Sequence, residues 1–426
     1  MSKPKSAQSD GYKWVMLLAY MLMSLGIWTS WFAQAPLKHV YWEKVFHMTE
    51  AKASLLLSLP GLVAIILALL KGRWLDTYGV RKMMTLSGVL ACIAFVPRPF
   101  MPANFLGQAI LTVIAGGGVC ILTASLPVMM IQWFGAQKAH TYIGMGAGSF
   151  FVGGGLGILV TARLYGPPVA DLAAATVAAK HVFTLWSIVM VAVTLLWIVL
   201  AKDKAVAGAG KRAAFGAELK NVMQTGSAWL VALYAICLGG ITVCTMGLLP
   251  GQMIVLHGLK PQLAGTVAGL YAIAMGVGLA ILPSFAGVAG KKWSSIIFCA
   301  LTLMVWIFYM ESKSLTIPQL LIFAVVFGFF FEAPWATGMA LMTSLPGVTA
   351  VNVGLASGVY TMATNIGVFF LPLVMGAAMD ASGGPFTPGG NWAGMWTVLI
   401  GYGLGLVAML AVKQKAVSAV KAKTAV

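Results

Sequence analysis

Twelve apolar runs, of which the third and ninth are short, constrain this chain more than any other feature of its sequence. A bilayer core about 30 Å thick takes roughly 20 residues of apolar helix. The runs cover residues 14–36, 53–70, 83–97, 105–134, 142–165, 181–201, 228–256, 263–289, 293–310, 318–342, 353–375 and 392–411. Only 9% of the residues are charged, whereas a soluble domain carries about 25%. The sequence therefore predicts an all-α integral membrane protein with twelve transmembrane helices.

The basic residues indicate how these helices are oriented. If both termini are cytoplasmic, 19 of the 27 Lys and Arg residues fall on the cytoplasmic side of the spans and 8 fall on the other side. Cytoplasmic loops are enriched in Lys and Arg, so this orientation is favoured. The formal charge of +17 then reflects topology and does not indicate nucleic acid as a partner. We expect a multi-pass protein of the cell inner membrane with both termini cytoplasmic.

The longest polar break divides the spans into two sets of six. It covers residues 202–227, between an N-terminal bundle of residues 1–201 and a C-terminal bundle of residues 228–426. Three glycines of the fifth span recur with the same spacing in the eleventh. The pairs are Gly144 and Gly354, Gly148 and Gly358, and Gly157 and Gly367. This repetition predicts two six-helix bundles derived from a duplicated unit, joined by a cytoplasmic linker.

A short basic loop between the second and third spans carries a recognisable motif. It reads GRWLDTYGVRK over residues 72–82. The glycines permit a tight turn, and the basic pair lies where anionic cytoplasmic lipid favours it. The motif residues are Gly72, Asp76, Gly79, Arg81 and Lys82.

This loop resembles the loop 2–3 signature of the major facilitator superfamily. Thr77 departs from the signature, which usually has a basic residue at that position. The resemblance implies two six-helix bundles that work by alternating access, with the motif residues acting as a conformational gate. Three further stretches, Leu59-Pro60, Ser125-Leu126-Pro127 and Gly153-Gly154-Gly155, resemble the cyanate porter group of small organic anion carriers within that superfamily.

The same resemblance implies that spans one, four, seven and ten face a central cavity. The candidate substrate-binding residues are Trp28, Trp31, Gln34, Arg163, Thr245 and Trp335. Arg163, near the outer end of the fifth span, has a guanidinium suited to bidentate binding of a carboxylate, and so has Arg98 near the outer end of the third. Each candidate also has a structural interpretation, because Trp is enriched at membrane interfaces and Arg extends toward the headgroups.

Glu332 is the one acid near the middle of a predicted span, and no Lys or Arg lies at that depth. A buried intramembrane carboxyl usually faces a cavity and has a function, so Glu332 is the candidate proton-coupling residue. Permanent protonation and a hydrogen bond to a neighbouring helix is the structural alternative. His39, Glu43 and His47, in the first outer loop, are interpreted as exposed polar residues.

These patterns favour a secondary transporter for a small organic solute, an anion such as a carboxylate, taken up in symport with protons. The alternative is proton-coupled efflux of a cationic or neutral drug-like compound, which Glu332 and Trp335 would contact. A membrane sensor and a membrane enzyme are less favoured, because neither a soluble signalling domain nor a cluster of catalytic side chains is evident. We expect no cofactor and no metal, and a monomer whose partners are its substrate, protons and the lipid bilayer.

Overall fold

The computed structural model describes residues 11–68, 71–135, 139–166, 171–202, 215–285, 290–312, 314–348 and 353–413. Twelve helices in these ranges are long and apolar enough to span a membrane, which confirms the predicted number. Labelled α1 to α12, they are Tyr12–Glu43, Glu50–Leu67, Val80–Phe100, Phe105–Phe134, Thr141–Tyr165, Leu172–Leu200, Gly226–Val255, Pro261–Phe285, Lys291–Glu311, Ile317–Met342, Gly354–Ala381 and Pro388–Ala411. Short helices Lys71–Tyr78 and Phe215–Met223 precede α3 and α7. Residues 1–10, 414–426 and part of the predicted linker, 203–214, lie outside the described ranges.

The largest difference from the predicted spans is at α1, which extends beyond residue 36 to Glu43. The helix continues through Pro36 and then widens into a π-helical turn over Lys38–Glu43. Hydropathy assigns these polar residues to a loop, whereas all six residues of the turn are buried. Such π turns are rare and often mark functional sites.

Each half of the chain packs its helices in the same pairs. In the first half α5 packs on α1, and in the second half α11 packs on α7. Gly157 of α5 lies against the Thr29 carbonyl of α1, and Gly367 of α11 lies against the Ile236 carbonyl of α7, with no room for a side chain at either glycine. The glycine spacing in the sequence therefore corresponds to equivalent backbone contacts in the two halves.

The halves meet along two helix pairs, α5 with α8 and α2 with α11. We call the end of the molecule where α1 begins the linker end, and the opposite end the far end. A Cβ at Gly148 of α5 would come within 2.6 Å of the Gly276 carbonyl oxygen of α8. At the corresponding position of α11, Gly358, no atom lies within 4 Å of a Cβ. At the linker end, therefore, the Gly148 face of α5 lies against α8, whereas the Gly358 face of α11 is open.

At the far end α2 and α11 are in close contact. The Asp380 carboxylate, near the end of α11, accepts hydrogen bonds from the backbone N–H groups of Glu50 and Ala51, at 2.9 and 3.1 Å. These N–H groups belong to the first turn of α2, where helical partners are missing and the helix dipole favours a negative charge. Asp380 thus caps α2 from the other half of the molecule and joins the two halves at the far end.

Candidate functional site

The middle of α1 carries an aromatic face that includes two of the predicted site residues. Trp28 stacks on Phe150 of α5, with ring centroids 5.1 Å apart and planes 4° apart, and it packs on Trp31 at 5.0 Å. Only 8% of Trp28 and 5% of Trp31 is exposed. Met246 of α7 approaches Gly154 of α5 beside this face. The two tryptophans therefore lie where α1 and α5 meet the second half of the chain.

The polar atoms on this face have no partner among the residues that the structure describes. The indole Nε1 of Trp28 and Trp31 and both amide atoms of Gln34 are buried without a hydrogen bond to any described residue. Buried polar groups in proteins are usually hydrogen-bonded. Trp31 and Gln34 are three residues apart and share one side of the helix. Because an indole N–H can only donate, the face offers donors to an acceptor from outside the chain.

One turn beyond Gln34, the π turn carries a buried cluster of charged residues. The Lys38 ammonium forms ion pairs with Glu43, at 3.4 Å, and with Glu50 of α2. His39 Nδ1 lies 3.1 Å from Glu43 Oε2. The expectation that His39 and Glu43 are exposed is wrong, since 4% and 1% of them is exposed. The π turn points them at α2 and α7 instead of solvent.

Glu332 lies at a break in α10 that its neighbours create. The helix stops at Phe331 and restarts at Ala333, because Pro334 lacks the N–H that would continue the ladder. Backbone carbonyls freed in a membrane need other donors. The Tyr402 hydroxyl donates to the Phe331 carbonyl at the break, at 2.6 Å. Tyr234 and Tyr360 donate to the Pro334 and Trp335 carbonyls just after it, each at 2.8 Å.

The Glu332 carboxyl has one hydrogen-bond partner on α7. Its Oε2 lies 2.9 Å from Thr242 Oγ1, which lies at the same distance from the Leu238 carbonyl oxygen. A threonine hydroxyl has a single proton and cannot donate to both oxygens. Both contacts are satisfied when Glu332 is protonated and donates to Thr242. Only 4% of Glu332 is exposed, and it has no ion-pair partner in the described ranges. Glu43 and Glu50 are also buried, and both lie beside Lys38. Glu332 differs from them because no cation lies beside it among the described residues.

The remaining candidates of the second half also make hydrogen bonds across helices. Thr245 Oγ1 lies 2.8 Å from the Tyr271 hydroxyl of α8. Trp335 Nε1 donates to Thr364 of α11 at 3.0 Å. Trp335 is half-buried. These two candidates differ from Trp28 and Trp31, because their polar atoms are already paired.

The two arginine candidates lie apart from the tryptophan face. Arg163, in the last turn of α5, is exposed. Arg98, at the end of α3, is buried and donates to Ala94 O, Gln108 Oε1 and Thr112 Oγ1, at 2.9 to 3.2 Å. Its guanidinium is thus occupied in joining α3 to α4. Neither arginine belongs to the set of buried groups without a partner.

The loop motif forms a helix and a turn at the linker end. Gly72 and Asp76 belong to the helix Lys71–Tyr78, but their side chains lie outside the described part of the structure. Gly79 joins this helix to α3 with φ of 79°, a conformation that favours glycine. Arg81 and Lys82 follow in the first turn of α3 and are exposed.

Sequence reasoning missed several of these groups. Three of them are charged residues just outside the predicted spans: Lys38, Glu50 and Asp380. Charged residues are common at such positions, so nothing in the local sequence predicts that these are buried or cap a helix. Gln252 of α7 is fully buried, and its amide makes no hydrogen bond to a described residue. The sequence could have indicated Gln252 as a candidate, because it is a polar amide inside an apolar run. No His, Cys, Asp or Glu group in the described ranges has the arrangement of a metal site.

Several solved structures of membrane transporters have the same arrangement of helices. A bacterial homologue of the human lysosomal transporter Spinster, inward-facing and unoccupied, has a TM-score of 0.75 at 14% identity, over 96% of this chain and 100% of that one. The nucleoside transporter NupG has a TM-score of 0.66 at 14% identity, over 94% and 100%. The transporter FucP in its outward conformation has a TM-score of 0.63 at 13% identity, over 95% and 100%. At such identities the likeness shows the fold alone.

The family follows from the sequence itself. A search of curated protein sequences finds no match. Residues 16–255, more than half of the chain, match the Major Facilitator Superfamily. The chain therefore belongs to the major facilitator superfamily of membrane transporters.

Proposed function

We propose that this transporter carries a small organic anion, such as a carboxylate, and that protons drive its uptake. Members of the superfamily are secondary transporters that work by alternating access. In this chain we assign substrate recognition to the buried face of α1. Trp28 and Trp31 present two indole N–H groups that have no described partner. These donor-only groups are the observation that carries the proposal, because they suit an acceptor such as a carboxylate oxygen. The resemblance of three short stretches to the cyanate porter group agrees with it.

Conservative substitutions test this proposal. Trp28→Phe and Trp31→Phe keep an aromatic ring in the stack and remove the N–H. A hydrogen bond to a charged group contributes about 1.5–3 kcal/mol, so each change should weaken binding of a carboxylate roughly 10- to 100-fold. Binding is measured as the rise in melting temperature of the purified protein with a panel of small carboxylates, sugars, nucleosides and organic cations.

The matched control is Trp396→Phe, because Trp396 is an exposed tryptophan of α12. It should bind like the parent. Stabilisation by neutral or cationic compounds only, or equal carboxylate affinity in the Trp31→Phe variant, would contradict the proposed substrate class.

Proton coupling is assigned to Glu332. Its contact with Thr242 is satisfied together with the Leu238 contact only when the carboxyl is protonated. Protonation also removes the charge that would have to cross the low-dielectric interior as the bundles rock. Loading of Glu332 with a proton is thus the step that permits reorientation, and its release returns the carrier to the ionised form.

The second candidate function is export of a cationic or neutral amphipathic compound. It is favoured by the absence of a cation beside Glu332 in the described ranges, which leaves the carboxylate available to a cationic ligand near Trp335. A cation near such a ring is also attracted to the aromatic face. Transport in everted vesicles separates the two functions. Accumulation of an organic cation driven by a proton gradient supports export. Carboxylate exchange without cation accumulation supports uptake.

A further inference from the structure

A buried cluster at the far end, distinct from Glu332, contains more acidic groups than charged basic groups. It comprises Lys38, His39 and Glu43 of the π turn and Glu50 of α2, of which 1% to 4% is exposed. With Lys38 charged, both glutamates ionised and His39 neutral, the cluster carries one net negative charge. A buried charge without a counterion is strongly unfavourable, so the cluster needs one more positive charge.

The surrounding groups do not supply that charge. The ionisable and thiol side chains around the cluster, from α1, α2, α5, α7 and α11, are Lys44, Tyr41, Lys52, Tyr165, Cys244 and Asp380. Lys44 and Lys52 are exposed, so their charges are solvated. Asp380 is itself an acid, and its oxygens are occupied by the first turn of α2. Among the described residues, a proton on His39 or on one of the two glutamates can supply the missing charge.

One oxygen atom marks where that proton belongs. Glu43 Oε1 is buried and accepts no hydrogen bond, although it lies 3.4 Å from the Lys38 ammonium. Glu50 Oε1 receives both Lys38 and the Ser54 hydroxyl. Glu43 and Glu50 therefore lie against the same ammonium group, and two carboxylates that share a site do not both ionise readily. A proton on the glutamate pair would turn the unpaired oxygen into a donor.

We propose that the Lys38, His39, Glu43 and Glu50 cluster is a proton-binding site that holds one proton, shared by the two glutamates, while the far end is closed. The site is linked to the closed far end through Glu50, whose backbone N–H is bound by Asp380 of the other half. When α2 separates from α11, water reaches the cluster, stabilises the ionised glutamates and releases the proton on that side. This site is separate from Glu332 and does not depend on the identity of the substrate.

Infrared spectroscopy of the purified protein tests the site without a transport assay. A protonated carboxyl has a carbonyl stretch that an ionised carboxylate lacks, and this band should titrate as pH is changed. Glu43→Gln and Glu50→Gln each leave a neutral ion pair with Lys38, so either change should remove the band of the cluster. Lys38→Met leaves two acids without a cation and should add intensity for a second protonated carboxyl.

Two controls separate this proposal from that for Glu332. Glu332→Gln should remove only the carbonyl band of Glu332 and leave the band of the cluster. Asp171→Asn, at an exposed helix cap, should leave the spectrum unchanged. A spectrum in which the titrating band survives both Glu43→Gln and Glu50→Gln, or is lost entirely in Glu332→Gln, overturns the proposal. If Lys38→Met does not fold, the two glutamine variants still decide it.

Discussion

Asp380 offers the most direct test of how the far end is held closed. Its carboxylate accepts hydrogen bonds from the N–H groups of Glu50 and Ala51, across the boundary between the two halves. Asp380→Ala removes both bonds and the charge at the first turn of α2. Asp380→Asn keeps the shape but leaves one neutral oxygen to accept. We expect both variants to open the far end more often, with alanine the stronger of the two.

The size of the effect follows from these two bonds. Hydrogen bonds to a charged group contribute about 1.5–3 kcal/mol, and a carboxylate at a helix N-terminus contributes about 0.3–2 kcal/mol. The two figures describe largely the same interaction, and solvent screens the half-buried Asp380. We therefore take about 2 kcal/mol for both bonds together as the loss in Asp380→Ala, which raises the open population roughly 30-fold. The neutral oxygen of Asp380→Asn should retain about half of this energy, which leaves a rise of about fivefold.

A native cysteine can report the opening. Cys244 of α7 is fully buried and lies within electrostatic range of Lys38 and Glu50. Separation of α2 from α11 should expose its thiol, so its rate of labelling by a membrane-impermeant maleimide added from the far side measures the open population. Peptide mass spectrometry distinguishes Cys244 from the other four cysteines.

The matched control is Asp171→Ala, because Asp171 makes the same kind of cap within one half. Its carboxylate accepts from Ala173 and Ala174 at 3.3 and 3.2 Å, in the first turn of α6. This variant should label like the parent. If Asp380→Ala labels Cys244 no faster than Asp171→Ala does, the Asp380 cap does not hold the far end closed and the reasoning is refuted.

Four further predictions concern other parts of the molecule. Glu332→Gln, which resembles the neutral acid, should lose proton-driven accumulation and keep solute exchange; accumulation with the parental pH dependence would make Glu332 structural. Asp76→Asn should slow transport more than it weakens binding, as its position in the loop motif implies, and lost affinity at an unchanged rate would exclude a gating role. Because Arg163 is exposed, Arg163→Ala should keep most of the uptake, whereas loss of uptake would return this residue to the substrate path. Gly367→Ala should lower the melting temperature by forcing a side chain against α7, at about 1–3 kcal/mol, while Gly358→Ala, in open space, should not.

The number and type of helices were readable from the sequence because they depend on local properties. An apolar run of about 20 residues satisfies its own backbone only as a helix, whatever its neighbours are. The glycine repeat was also readable, since Gly157 and Gly367 are small for the same reason, a backbone carbonyl of the adjacent helix. Trp28, Trp31 and Gln34 could be selected as candidates from their residue types and their place in the first span.

Which of those candidates are free to bind a ligand is a property of the tertiary structure. Trp335 and Trp31 look alike in the sequence, but the first is bonded to Thr364 and the second has no described partner. The charged residues near the end of α1 were taken for a solvated loop, because hydropathy cannot tell a buried ion pair from an exposed one. Their burial depends on contacts with α2 and α7.

The sequence by itself determined that this chain is a twelve-helix membrane protein, since lipid imposes that feature on each segment separately. Only the tertiary structure decided which polar groups meet. Glu50 and Asp380 are 330 residues apart and belong to different halves, yet the carboxylate of one caps the helix that begins at the other. Such a contact depends on how two bundles dock, and docking is settled by the packing of many side chains together, so no local pattern in the chain records it.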